Sequence, residues 1–407
     1  MSSSMNGYSN DEKLRAIRKD YRSDTITIQD DQVFEVMRAA SRGDDVYRDD
    51  NTTEAFQDRF ARLAGKEAGL FCVSGTQTNQ LALRAHLKQP PHSVLLDDRA
   101  HVHRYEAGGL AFHSQAMSLT VAPSNGRYLR WEEDVKPNLI LDDNIHFCPT
   151  VVISLENTLG GVIFPQEEIV KISQEARKLG IIMHLDGARL WETAAATGLS
   201  LEELCRPFDT VSLCMSKGLG APIGSVLVGP ASVIKKCIHL RKLFGGGIRQ
   251  AGMLTAAANY YYDLVFPQLP RVHALAKKLA QGLADEGASI LQPVQTNMVW
   301  FDSNSLGFDA DTFAKAAAAK GITAGRSRLV LHYLMNDETV DATLDVVRQL
   351  KKEHQAKSVR LSELEHARTQ AFAKGDFFDG PTTKAQAVAG GGYGANGPTS
   401  SDKISPY

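Results

Sequence analysis

Four short apolar runs, VVISLEN, GIIMHLD, TVSLCMS and SVLVG, occupy residues 151–157, 180–186, 210–216 and 225–229. Between the first two lies PQEEIVKISQEARKLG, in which Ile169, Ile172, Ala176 and Leu179 recur at helical spacing and mark one face. Strand, helix, strand in that order predicts an α/β chain with a mostly parallel sheet covered on both sides by helices. Ligands of such sheets bind beyond the carboxyl ends of the strands. Polar residues fall there: Glu156 and Asn157 close one run, Asp186 the next, and Ser216 and Lys217 a third. Burying any of these unpaired is costly, so their placement points to a partner.

Further elements flank this set. TTEAFQDRFARLAG reads as a helix capped by Thr52 or Thr53, with Phe56, Phe60 and Leu63 on one face and Gly65 as its stop. AGLFCVS reads as a strand leading into a helix that opens at Gly75 and Thr76, and TNMVWF as a strand of a second unit. The expected organisation is an N-terminal arm over 1–30, a large domain over 31–265 and a smaller C-terminal α/β domain over 266–365. A polar, glycine-rich and disordered tail over 366–407 completes it.

Charge narrows the function. Lys plus Arg at 45 against Asp plus Glu at 47 leaves a formal charge of -2, which offers no basic field for a nucleic-acid backbone. The five cysteines, Cys72, Cys148, Cys205, Cys214 and Cys237, form neither a CxxC pair nor a zinc pattern and read as buried thiols in a reducing compartment. With no apolar leader and no run of membrane-spanning length, the expectation is a soluble cytoplasmic protein that binds neither membrane nor nucleic acid and needs no metal.

The chemistry begins with Lys217 in SLCMSKGLG, where an amine past a strand end can form a Schiff base and the glycines allow close approach of a cofactor. Asp186, one helix and one strand earlier, belongs on the same sheet edge, where a carboxylate can hold the ring nitrogen of pyridoxal phosphate protonated. Ser74, Gly75 and Thr76 stand where a strand gives way to a helix, so free amides face an anion. His101, with Glu106 nearby, is a candidate ring to stack on the cofactor, and His146 a candidate near a polar group of the substrate. His184 points to the same side as Asp186 and reads as packing or as support for it.

The motifs SDTIT, GDDVYRDD, SGTQTNQ, AHVHRYEAGG, SLENTLGG, HLDGAR, SKGLGAPIGSVLVG and RKLFGGGIRQ, in this order, resemble the threonine aldolase family. The resemblance extends from about residue 22 to about residue 350. It implies the type I fold of pyridoxal-phosphate-dependent transferases, pyridoxal 5'-phosphate as cofactor, and cleavage of L-threonine or L-allo-threonine to glycine and acetaldehyde. It further implies Lys217 as the Schiff-base residue, Asp186 on the pyridine nitrogen, Arg189 near the phenolic oxygen, His101 as the stacking ring and His146 as a second active-site histidine. Ser74, Gly75 and Thr76 match the phosphate loop, Arg249 a residue that reaches a neighbouring subunit's phosphate, and Ser23 and Arg328 the substrate-binding positions, with Arg326 competing for the carboxylate. The family's members are homodimers or homotetramers with shared active sites. Arg48, Leu159 and Gly160 depart from its usual pattern; Arg48 adds a cation expected near the substrate end and Gly160 is expected to open space there. An alanine racemase, as in some fungal secondary-metabolite pathways, is the enzymatic alternative, and a cofactor-binding protein without activity the non-catalytic one.

Overall fold

The computed structural model describes residues 10–142 and 144–374. Its strands, in chain order, are β1 Ala68–Cys72, β2 Ser93–Asp97, β3 Met117–Val121, β4 Thr150–Glu156, β5 Ile182–Gly187, β6 Thr210–Cys214, β7 Ser225–Gly229, β8 Ser289–Ile290, β9 Met298–Asp302 and β10 Arg328–Val330. The first seven form one sheet in the order β1-β7-β6-β5-β4-β2-β3, so the four apolar runs are the neighbours β4 to β7. Pairings from β3 through β6 are parallel, while β7 runs antiparallel to both β6 and β1. The mostly parallel expectation holds, with an antiparallel edge.

Alternation along the strands separates two cores. Phe71, Leu95, Ile153, Leu155, Val226 and Val228 pack with Phe56, Phe60, Ile169, Ile172 and Trp191 on one face of the sheet. Leu70, Cys72 and Leu227 face the other way, onto Leu81, Ala82 and Ala85 of the helix Gly75–His86 and Ile234 and Cys237 of the helix Ala231–Leu243. That period of two is what a sheet covered on both faces requires. A second, smaller unit sets the antiparallel sheet β10-β9-β8 against the helices Leu269–Asp285, Ala310–Ala319 and Asp337–Lys374 around Leu279, Phe301, Phe313 and Val347. The N-terminal segment joins it: Tyr21 is fully buried, its N–H donates to the Thr323 carbonyl, and its own carbonyl accepts from the Val330 N–H.

Several local expectations are corrected. The helix Asn51–Leu63 is capped by Asp50 rather than by Thr52 or Thr53: Asp50 Oδ1 accepts from the Thr53 N–H at 3.1 Å and from Ser41 Oγ at 2.6 Å, and Oδ2 accepts from the Gly252 N–H at 2.8 Å. Buried cap loss together with three stranded donors predicts that Asp50→Ala costs about 2–3 kcal/mol. The midpoint of urea unfolding measures it. Leu179, counted on the helical face, is the exposed C-cap of Gln166–Lys178, because the chain turns there at Gly180. The last helix runs to Lys374, through the beginning of the segment expected as a tail; residues 375–407 and 1–9 lie outside the described residues. Cys72, Cys205, Cys214 and Cys237 are buried thiols as expected, and Cys148 is half-buried.

Candidate active site

Parallel pairing of β4, β5 and β6 brings their carboxyl ends to one edge, with Glu156 registered against Asp186 and Asp186 against Ser212. Lys217 follows β6 by three residues and is half-buried, in the same electrostatic neighbourhood as Asp24, His101 and Glu156. Gly218 serves packing rather than cofactor approach, since a Cβ there would meet Glu192 Oε1 at 2.2 Å.

Asp186 is buried, with one donor on each oxygen: Oδ1 accepts from the Ala188 N–H at 3.0 Å and Oδ2 from Asn79 Nδ2 at 2.8 Å. The same Asn79 nitrogen donates to Glu106 Oε1 at 2.8 Å, and that oxygen receives His101 Nδ1 at 2.9 Å. One ligand atom from each of His101, Glu106 and Asp186 lies within 4.8 Å of the others. Burial opposes the charged form of His101, but the hydrogen bond to Glu106 and the field of Asp186 outweigh it and raise its pKa. Glu156 accepts the His101 backbone N–H at 2.8 Å; burial and the neighbouring Asp186 push its carboxyl up to about 7. Glu106 stood out in the sequence only as a neighbour of His101, and Asn79 only as a polar residue of the helix Gly75–His86. The signal of Asn79 was weak, because a polar residue on a helix normally faces water.

Arg189 pairs with the N-terminal segment. Its Nε and Nη2 donate to the two oxygens of Asp24 at 2.8 and 2.7 Å, a bidentate and largely buried pair. Asn297 Nδ2, next to β9, adds a third donor to Asp24 at 3.2 Å. Asp24, from the SDTIT motif, therefore joins the N-terminal segment to both units, and its neighbour Ser23 sits half-buried with its hydroxyl accepting from Thr25.

At the start of the helix Gly75–His86, Ser74 caps by accepting the Gln77 N–H, so the first turn of amides stands at the sheet edge. Ser225 Oγ is buried without a hydrogen-bond partner among the described residues and faces Gly75, an orphaned polar atom that fits a phosphate held there. The loop GGGIRQ packs on this turn: a Cβ on Gly246 would lie 1.9 Å from Gln77 Nε2. Arg249, on that loop, is half-exposed, pairs with Asp44 at 3.0 Å and covers the Tyr47 ring. His146 is not brought to the cluster within one chain; it lies in an exposed loop with Leu141, Ile145 and Phe147, all exposed. Arg328 donates to the Arg22 carbonyl at 3.0 Å and sits over the Trp300 ring, whereas Arg326 is exposed and paired with Asp311. Arg48 is exposed and paired with Glu54 at 2.9 Å, and the Gly160 carbonyl accepts the Trp300 indole N–H at 2.9 Å, while a Cβ on Gly160 would come no closer than 3.7 Å to its neighbours.

A family model described as beta-eliminating lyase matches residues 20–305. The chain belongs to the beta-eliminating lyase family. Among its relatives in the family is the low-specificity L-threonine aldolase of Candida albicans, 45% identical over 340 residues, which span 83% of this chain and 91% of that protein. Another is alanine racemase TOXG of Cochliobolus carbonum, 36% identical over 343 residues, 82% of this chain and 88% of that protein. Leishmania major threonine aldolase superposes with a TM-score of 0.69 at 20% identity, over 82% of this chain and 99% of that chain. This beta-eliminating lyase has the type I fold, and pyridoxal 5'-phosphate is its cofactor. The lysine, the buried acid and the helix N-terminus at one sheet edge fit the aldehyde, ring nitrogen and phosphate of that group. Among the described residues, no helix is long and apolar enough to cross a membrane.

Proposed function

We propose that the protein cleaves L-threonine or L-allo-threonine to glycine and acetaldehyde, as a pyridoxal-phosphate-dependent carbon-carbon lyase. The observation that carries this reading is the cluster at the ends of β4 to β6, where Lys217, Asp186 and the His101–Glu106 pair meet. Bound pyridoxal phosphate supplies an electron sink for the bond broken at the substrate's α-carbon. Lys217 would hold the cofactor through its amine. Asp186, an acceptor held by two donors, would keep a proton on the ring nitrogen. The amides of Ser74, Gly75 and Thr76 hold the phosphate. Glu156, with a carboxyl near pH 7, and His101 are the chain's candidates to move the β-hydroxyl proton.

Arg328 is the carboxylate-binding residue in this reading and Arg326 is not, because Arg326 is committed to Asp311 at the surface. Loss of a charge-assisted carboxylate contact lowers kcat/KM by about 100-fold in Arg328→Ala, mostly through KM, while Arg326→Ala stays within about twofold of the native protein. Steady-state kinetics with L-threonine tests both.

We further propose a cytoplasmic homodimer or homotetramer with shared sites, divided at about residue 265. The exposed apolar residues around His146 support this, since in an assembly they bury against another copy and carry His146 to its site; Arg249 reaches a neighbouring phosphate in the same way. The deciding experiment offers L-threonine, L-allo-threonine and L-alanine separately to cofactor-loaded protein, with chiral analysis of the products. Glycine with equimolar acetaldehyde supports the aldolase. D-alanine without aldehyde would replace it with a racemase, the activity named for the Cochliobolus carbonum relative.

A further inference from the structure

The buried polar atoms behind Asp186 form a chain whose donor directions are dictated throughout. Asn79 Nδ2 touches two carboxylates, Glu106 and Asp186, and so must be the amide nitrogen. Its oxygen then accepts from His184 Nε2 at 3.1 Å, which assigns the proton of His184 to Nε2. His184 is fully buried, and burial holds its pKa down to about 3, so the ring is neutral and its Nδ1 accepts from Thr210 Oγ1 at 2.9 Å. Thr210 Oγ1 in turn receives His86 Nε2 at 3.1 Å. The ring and hydroxyl donors each serve one acceptor, Asn79 Nδ2 serves two, and the chain ends on the two carboxylates.

We propose that Asn79 and His184 are positioning residues of the active site. Asn79 holds Asp186 and Glu106 through one nitrogen, so that the acid facing the cofactor's ring nitrogen and the carboxylate gripping His101 are set as one unit; His184 fixes which way the Asn79 amide points. Without that nitrogen two carboxylates face each other across a buried gap, and one takes up a proton to relieve the repulsion. Asp186 then no longer holds the ring nitrogen protonated. The other titratable groups facing Asp186 are Glu156 on β4, His101, and His184 on its own strand, with Lys217 in the same field. None of them supplies the Asn79 contact.

The inference rests on pyridoxal phosphate binding at this edge, so the test separates the two. Asn79→Leu, Asn79→Asp, His184→Leu and His184→Gln are compared with the native protein by equilibrium dialysis against pyridoxal phosphate. The pH titration of the visible absorption of the loaded proteins is measured alongside. In Asn79→Leu and Asn79→Asp the affinity falls at least tenfold. The titration midpoint rises by about one pH unit or more, since a ring nitrogen that has lost its proton no longer opposes the positive charge at Lys217. His184→Leu moves both readouts in the same direction, and His184→Gln, which keeps an N–H for Asn79 Oδ1, restores them to within about threefold and 0.3 units. Should the folded Asn79→Leu protein keep native affinity and midpoint, or His184→Gln fail as badly as His184→Leu, the positioning role is wrong. The histidine pair keeps the test decisive if the Asn79 variants do not fold. Failure of the native protein itself to develop visible absorption with the cofactor would instead overturn the cofactor site.

Discussion

Replacing Lys217 with alanine lowers turnover of L-threonine by about 10³-fold or more, and cofactor-loaded protein loses the visible absorption that depends on the lysine amine. The expectation follows from position. Lys217 lies just past β6 and shares the field of Asp24, His101 and Glu156 at the sheet edge. A methyl group cannot hold the cofactor aldehyde or carry a proton, whereas the phosphate cradle of Ser74 to Thr76 and the acid Asp186 are untouched. Binding of pyridoxal phosphate therefore weakens without disappearing, and added small primary amines restore part of the rate. Because Lys217 is only half-buried, its loss leaves the unfolding midpoint close to native. Turnover within tenfold of the native rate would remove Lys217 from the mechanism.

Much of this edge was legible in the residues, and the reasons differ from element to element. The strands β4 to β7 were visible because each is buried on both faces and reads as a continuous apolar run. Asp186 and Lys217 stood out because a charge at the end of such a run has nowhere to go without a partner. The direction of β7 was not legible: a run of five buried residues carries no sign of which way it points. Nor was the Asp50 cap, since SDTIT, GDD and RDD offer several acids and only tertiary contacts choose the one that also reaches Ser41 and Gly252. His146 looked like a site residue by its motif, yet one chain leaves it in an exposed loop. Asn79 was hidden for the opposite reason. Within SGTQTNQ it resembles the other polar residues of a helix start, and its partners come from two distant segments, Glu106 from the loop after His101–Arg104 and Asp186 and His184 from β5.

The Asp24–Arg189 pair could not be read for the same cause, as 165 positions separate the partners. It carries the second large effect. Asp24 has no exposure at the side chain, and its carboxylate takes two donors from Arg189 and one from Asn297. Burial by itself raises its pKa, but the Arg189 charge and hydrogen bonds outweigh that and hold it below the usual carboxylate value. Removing one partner strands the other as an uncompensated buried charge, so Arg189→Met costs about 3–5 kcal/mol at pH 7, and Asp24→Leu a similar amount. The double variant, in which no charge is stranded, is expected to be more stable than either single one. The pH dependence distinguishes this from simple packing loss. In the native protein the depressed pKa means that Asp24 contributes its stability above about pH 4, and the contribution fades as pH falls through the lower folded value. In Arg189→Met the sign reverses: burial, the largest influence, is then opposed only by the Lys217 charge and the Asn297 hydrogen bond, so the Asp24 pKa lies above its unfolded value and acid relieves the penalty. Urea unfolding from pH 7 to pH 4 should thus show the gap between native and variant narrowing with acid. A gap that stays constant over that range would mean that Arg189 stabilises the junction by its bulk and not by its charge.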